Sequence, residues 1–161
     1  MKKIPQKTLI IKIRPTDPQR HFYSDWIKKS GCLNIIVTHE NLLGLIDECD
    51  LFLALFSTAG AEALLKGRPG IQITFIDKDR KTYNQALNVH DIPYAEYNAT
   101  LDMDEEDPEK LLELIKSIYN SNEIREKLKR GRRKFLEDYC NLGKGNSADN
   151  LQNFIYKIIN S

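Results

Sequence analysis

Ser57 and Thr58 close an apolar run and stand directly before a helical stretch of small residues, with Glu62 four positions after Thr58. A helix start of this kind offers hydroxyls, unpaired backbone N–H groups and the positive end of the helix dipole, a combination that favours a diphosphate. Gly60, between Ala59 and Ala61, lets a ligand approach the backbone closely. Glu62 lies one turn further along the same side, where its carboxylate can accept hydrogen bonds from ribose hydroxyls. Ser-Thr before a helix is also the ordinary N-cap pattern, and a glutamate at that position is often merely solvated. The nucleotide reading therefore rests on the conjunction of these residues with others on the same rim.

Those others are fixed by the order of elements. Thr8 to Ile13 is a β-branched run that stops at Arg14-Pro15, which predicts a first strand. Gln19 to Ser30 has Phe22, Tyr23, Trp26 and Ile27 at helical spacing and meets Gly31, so a helix with an aromatic inner face is expected. Leu33 to Val37 predicts a second strand and Asn41 to Glu48 a short second helix. Asp50 to Phe56 is apolar enough for a strand buried on both faces. A third helix from Ala59 to Lys66 ends at Gly67, and Ile71 to Ile76 makes a fourth strand. Alternation at this spacing requires crossover helices and a parallel sheet covered on both sides.

In such a sheet the binding crevice lies beyond the carboxyl ends of the strands. Arg14, Thr16 and Asp17 follow the first strand, Thr38, His39 and Glu40 the second, Ser57 and Thr58 the third, and Asp77 to Arg80 the fourth. His39 is placed to stack on a base or hydrogen-bond to it, although a loop histidine is commonly just solvated. Arg80, Lys81 and Tyr83 read equally as a loop over phosphates and as a charged surface loop.

From Asp77 to Asp107 the pattern weakens, and a fifth, edge strand is expected at Ile92 to Tyr97. Pro108 opens a helix over Glu109 to Tyr119, a second follows over Glu123 to Tyr139, and a third over Ser147 to Ile159. The predicted fold is α/β: one three-layer Rossmann-like domain over residues 1–161, with about five parallel strands and a C-terminal helical cap at 108–161.

Composition narrows the partners. With 24 basic and 23 acidic residues the net charge is +1, which gives no broad electrostatic reason to expect nucleic acid. The run Lys127-Leu-Lys-Arg-Gly-Arg-Arg-Lys134 reads first as a solvated helix face. Cys32, Cys49 and Cys140 are odd in number and far apart, and His21, His39 and His90 share no ligand spacing, so neither a disulfide framework nor a metal site is expected. No stretch approaches the ~18 apolar residues of a membrane span. A cytoplasmic location fits this cysteine usage.

Ser57-Thr58-x-x-x-Glu62-Ala-Leu-x-x-Gly67-x-Pro69, preceded by the strand Asp50 to Phe56, resembles the C-terminal domain of GT-B glycosyltransferases. Ile11-Lys-Ile-Arg-Pro15 is similar to the Lys-x-His-Pro element of bacterial capsule and teichoic-acid type transferases, with Arg14 where the family has histidine. Phe135 to Tyr139 and Gly143 to Ala148 resemble the end of those enzymes. The resemblance implies a donor domain that binds a nucleoside diphosphate sugar, without a cofactor or metal, for surface polysaccharide or glycolipid synthesis. By position it implies that Glu62 binds the ribose, that Ser57 and Thr58 contact the diphosphate, and that Arg14 stabilises the leaving group. Arginine keeps the charge but not the proton-shuttling capacity of histidine. Ala54 stands where retaining members with a Glu-x7-Glu pattern carry an acidic residue. The resemblance further implies an N-terminal acceptor domain, in the same chain or a partner, without which no transfer occurs. A same-fold nucleotide-sugar epimerase and a non-catalytic nucleotide-binding or interaction subunit are the alternatives.

Overall fold

A computed structural model of the chain describes residues 7–13, 20–54, 57–75 and 94–139, together with 152 and 155–158 near the C-terminus. The chain divides into two compact units, Met1–Glu48 and Cys49–Ser161.

In the first unit, strand β1 (Leu9–Lys12) is followed by helix α1 (Arg20–Ser30), strand β2 (Ile35–Thr38) and helix α2 (Leu42–Glu48). The two strands pair in parallel, with Ile10 opposite Ile36 and Lys12 opposite Thr38. Gly31 ends α1 at φ 63°, the left-handed stop expected of it. The inner side of α1 is narrower than its aromatic content implies. Tyr23 and Ile27 are half-buried, whereas Phe22 and Trp26, one position away on the helix circumference, are 61% and 45% exposed. Both pairs have i, i+4 spacing, so periodicity alone does not choose between them.

The second unit contains strand β3 (Phe52–Ala54), helix α3 (Ala59–Leu65), strand β4 (Gly70–Ile73), strand β5 (Leu101–Met103), helix α4 (Pro108–Asn120) and helix α5 (Asn122–Asp138). Its sheet has the order β3-β4-β5 and is parallel throughout. The molecule is thus α/β with parallel pairing, as expected, but its five described strands form a two-stranded and a three-stranded sheet rather than one.

Side chains alternate across the second sheet. Ile71, Ile73, Leu101 and Met103 project towards Ile118 of α4 and Leu128 of α5. On the opposite face Phe52 packs with Leu64 of α3, Tyr94, Ala99 and Phe135 of α5. Gly70 leaves room for Phe52, whose ring would stand 2.3 Å from a β-carbon there. Ile71, at the centre, is fully buried, while Leu53 on the edge strand remains 39% exposed, so β3 is not covered on both sides.

The fifth strand lies outside its expected range. Residues 94–98 form turns, and the strand begins at Leu101, inside the stretch where the sequence pattern weakens. Asp102 faces solvent between the inward Leu101 and Met103, and its carboxylate accepts the Thr74 hydroxyl at 2.7 Å. Helices α4 and α5 begin as their sequences demand. Asp107 accepts from the Glu109 N–H at 2.9 Å ahead of Pro108, and Ser121 accepts from the Ile124 N–H at 3.2 Å.

Candidate functional site

The start of α3 is closed by hydrogen bonds from its own amides to the Ser57 hydroxyl and to the Ser57 and Thr58 carbonyls. Ser57 Oγ accepts from the Ala59 N–H at 3.2 Å, the Ser57 carbonyl accepts from the Gly60 N–H at 3.1 Å, and the Thr58 carbonyl accepts from the Ala61 N–H at 2.9 Å. Thr58 has helical backbone angles (φ −61°, ψ −19°) and its side chain makes no capping hydrogen bond. The first three amides of α3 are therefore engaged within the turn. Unpaired donors at the helix tip, on which the phosphate reading drew, are not present at these three positions. Two groups are left on offer: the exposed Thr58 hydroxyl and, one turn below, the partly exposed Glu62 carboxylate. Both accept hydrogen bonds, and together they suit vicinal hydroxyls better than an anion.

Tyr94 holds this turn in place and went unnoticed in the sequence. Its side chain is 2% exposed, packed edge-on against Phe135 at 5.2 Å, and its hydroxyl donates to the Ser57 carbonyl at 3.1 Å. The ring also covers Gly60, where a β-carbon would meet Cε2 at 2.7 Å. The smallness of Gly60 thus serves internal packing. The turn bearing Tyr94 is anchored in its own right, because the buried Gln72 accepts the Ala95 N–H at 3.0 Å through Oε1. A lone tyrosine after Pro93 in a polar stretch was the only local signal.

Thr38 and His39 belong to the first unit and are described with it. Thr38 ends β2, its carbonyl accepts the Ile13 N–H at 3.2 Å, and its hydroxyl accepts the Glu40 N–H at 3.1 Å. His39, next in the chain, is exposed. Arg14, Thr16, Asp17, Asp77 to Lys81 and Tyr83 lie outside the described residues, as does His90. Ser57, Thr58, Gly60 and Glu62 are brought together on one turn and one helix.

A hollow of about 270 Å³ opens elsewhere on the second unit, lined by Glu96, Tyr97, Asn98, Lys134 and Asp138. None of the candidate nucleotide-binding residues lines it, although Lys134 of the basic run does. Among the described residues no group of three or more His, Cys, Asp or Glu side chains is placed to hold a metal ion. Nor, among them, is any helix long and apolar enough to cross a membrane. Cys49, half-buried, has its thiol pKa raised by burial, an effect that the nearby Arg68 cation partly opposes.

No family model matches the chain, and comparison with curated proteins finds no match.

Proposed function

We propose that the chain is the donor-binding half of a GT-B-type glycosyltransferase, taking a nucleoside diphosphate sugar at the β3–α3 turn. The observation that carries this reading is the pairing of Thr58 and Glu62, two hydrogen-bond acceptors one helical turn apart, on a turn pinned from beneath by the Tyr94 hydroxyl. A ribose presents two adjacent hydroxyl donors to such a pair. A fixed turn binds with less loss of conformational entropy than a mobile one.

The engaged amides of Ala59, Gly60 and Ala61 shift the phosphate contact away from the α3 backbone and onto cationic groups. The resemblance implies that Arg14 neutralises the diphosphate and stabilises it as a leaving group. An acceptor domain is supplied in cis or by a partner. Transfer to a surface polysaccharide or glycolipid precursor follows only in that complete assembly, and no metal or cofactor takes part.

Thermal unfolding with UDP, CDP, GDP and ADP tests the reading. At ten times its dissociation constant, a ligand that binds only the folded chain adds about 1.4 kcal/mol and raises the melting temperature by roughly 3–6 °C. The expected result is a shift with one nucleotide that is lost in Glu62→Gln, a change that keeps the side-chain shape but removes the charge. A shift of equal size in that variant would remove Glu62 from the site, and no shift with any nucleotide would overturn donor binding by this chain.

A further inference from the structure

The positive charge of the chain is concentrated on one helix. Helix α5 carries seven basic and four acidic residues, whereas the remaining positions carry 17 and 19. Its carboxylates stand only near the ends, at Glu123, Glu126, Glu137 and Asp138, and the eight residues Lys127 to Lys134 hold six cations with no acid among them. Packing fixes how the helix is rotated: Leu128, Gly131 and Phe135 are buried, which turns Lys127, Arg130 and Lys134 to the outside as a row about 10 Å long.

The other cations on the helix have internal work. Arg125 donates to the carbonyls of Ile118 and Tyr119 at the end of α4, at 3.2 and 2.6 Å. Lys129 pairs with Glu126 at 3.7 Å and Arg133 with Glu137 at 2.8 Å, while Arg132 lies beside Gly67. Among the described residues, Lys127, Arg130 and Lys134 have no carboxylate within ion-pair distance. Among the described residues, the aromatic neighbour of the row is Tyr97, whose ring centre is 6.0 Å from Lys134 Nζ.

We propose that this row is an electrostatic docking strip for an anionic phospholipid surface. Since the apolar side of α5 is committed to the core, the helix cannot insert, and contact is made by the cations alone with the helix lying flat. Lipid headgroups diffuse sideways and so meet a rigid row without matched spacing. Each cation that reaches them strengthens partitioning about fivefold. A nucleic acid strand is a poorer match, because its recognition calls for successive stacking aromatics, and the segment 127–134 contains none, while the hollow beside Lys134 is lined by Glu96 and Asp138, which repel phosphates. The strip lies outside the residues assigned to the nucleotide, so the two proposals stand or fall separately.

Co-sedimentation of the full chain with vesicles tests it, using equal phosphatidylglycerol and phosphatidylcholine against phosphatidylcholine alone. Binding to the first and not the second is expected, weakening as salt is raised. K127Q/R130Q/K134Q should reduce partitioning about 100-fold with an unchanged melting temperature, whereas K28Q/K29Q, which removes two cations from α1, should change it less than about threefold. Three results would each overturn the proposal: no binding to the anionic vesicles at low salt, equal losses in the two variants, or tighter binding to single-stranded RNA than to the vesicles.

Discussion

The ring of Tyr94 occupies the space into which a side chain at Gly60 would project, and the hydroxyl of the same ring bonds to the Ser57 carbonyl three residues earlier. An alanine in a helix is ordinarily favoured over glycine by about 1 kcal/mol. Here Gly60→Ala is expected to destabilise the fold by about 1–3 kcal/mol, since the ring is held by Phe135 and cannot withdraw freely. Tyr94→Phe keeps the ring and should cost about 1 kcal/mol for the lost hydrogen bond. Urea denaturation measures both, and a Gly60→Ala protein as stable as the parent would contradict this packing.

Two further glycines should respond with opposite signs. Gly131, within α5, faces the turn at Tyr97–Asn98, and a β-carbon there would lie 2.2 Å from the Asn98 carbonyl oxygen. Backbone cannot move aside as a flexible side chain can, so Gly131→Ala should lose about 2 kcal/mol or more despite better helix propensity. Gly44, in α2, has nothing among the described residues within 4 Å of its missing β-carbon. Gly44→Ala should gain about 0.5–1 kcal/mol. Parallel denaturation curves decide, and equal signs for the two would refute the distinction.

Much of this architecture was legible in the sequence, and the parts that were not share a cause. The βα alternation, the left-handed stops at Gly31 and Gly67 and the proline-led start of α4 all depend on local chemistry, which a sequence displays directly. Strand β5 was misplaced because Ile92 to Tyr97 has the better strand composition, whereas the partners that bury Tyr94 lie far away in the chain, at Ser57 and Phe135. A three-residue strand that pairs along β4 announces itself only through that pairing. At the site, the spacing of Ser57, Thr58 and Glu62 was readable. That the turn satisfies its own amides was not, because it depends on backbone angles at Thr58.

Thr100 provides a test of buried polarity. Its hydroxyl is inaccessible and, among the described residues, has no hydrogen-bond partner, in a residue only 3% exposed. Leaving a polar group buried without a partner costs about 1–3 kcal/mol, and replacing it with an apolar group of the same shape removes that cost. Thr100→Val is therefore expected to be neutral or stabilising by up to about 1 kcal/mol, with the change read from the denaturation midpoint. A loss of stability would reveal a partner for the hydroxyl.

The loop before α4 should be sensitive to acid through one ion pair. Lys110 Nζ lies 2.5 Å from Asp104 and 3.5 Å from Glu105, and its hydrogen bond holds the Asp104 carboxyl below its ordinary pKa, while the same bond raises Lys110. A carboxyl whose folded pKa is depressed contributes stability that is fully present above its unfolded value, about 3.9, and is lost as the pH falls through the folded one. Because the pair is open to solvent, the effect on overall stability should be small and screened by salt. The titration of Asp104 itself is the sharper measurement. In Lys110→Met its carboxyl resonance should titrate at a higher pH, closer to that of an ordinary aspartate. An unchanged Asp104 titration would mean that its neighbouring backbone amides, not Lys110, hold the carboxylate.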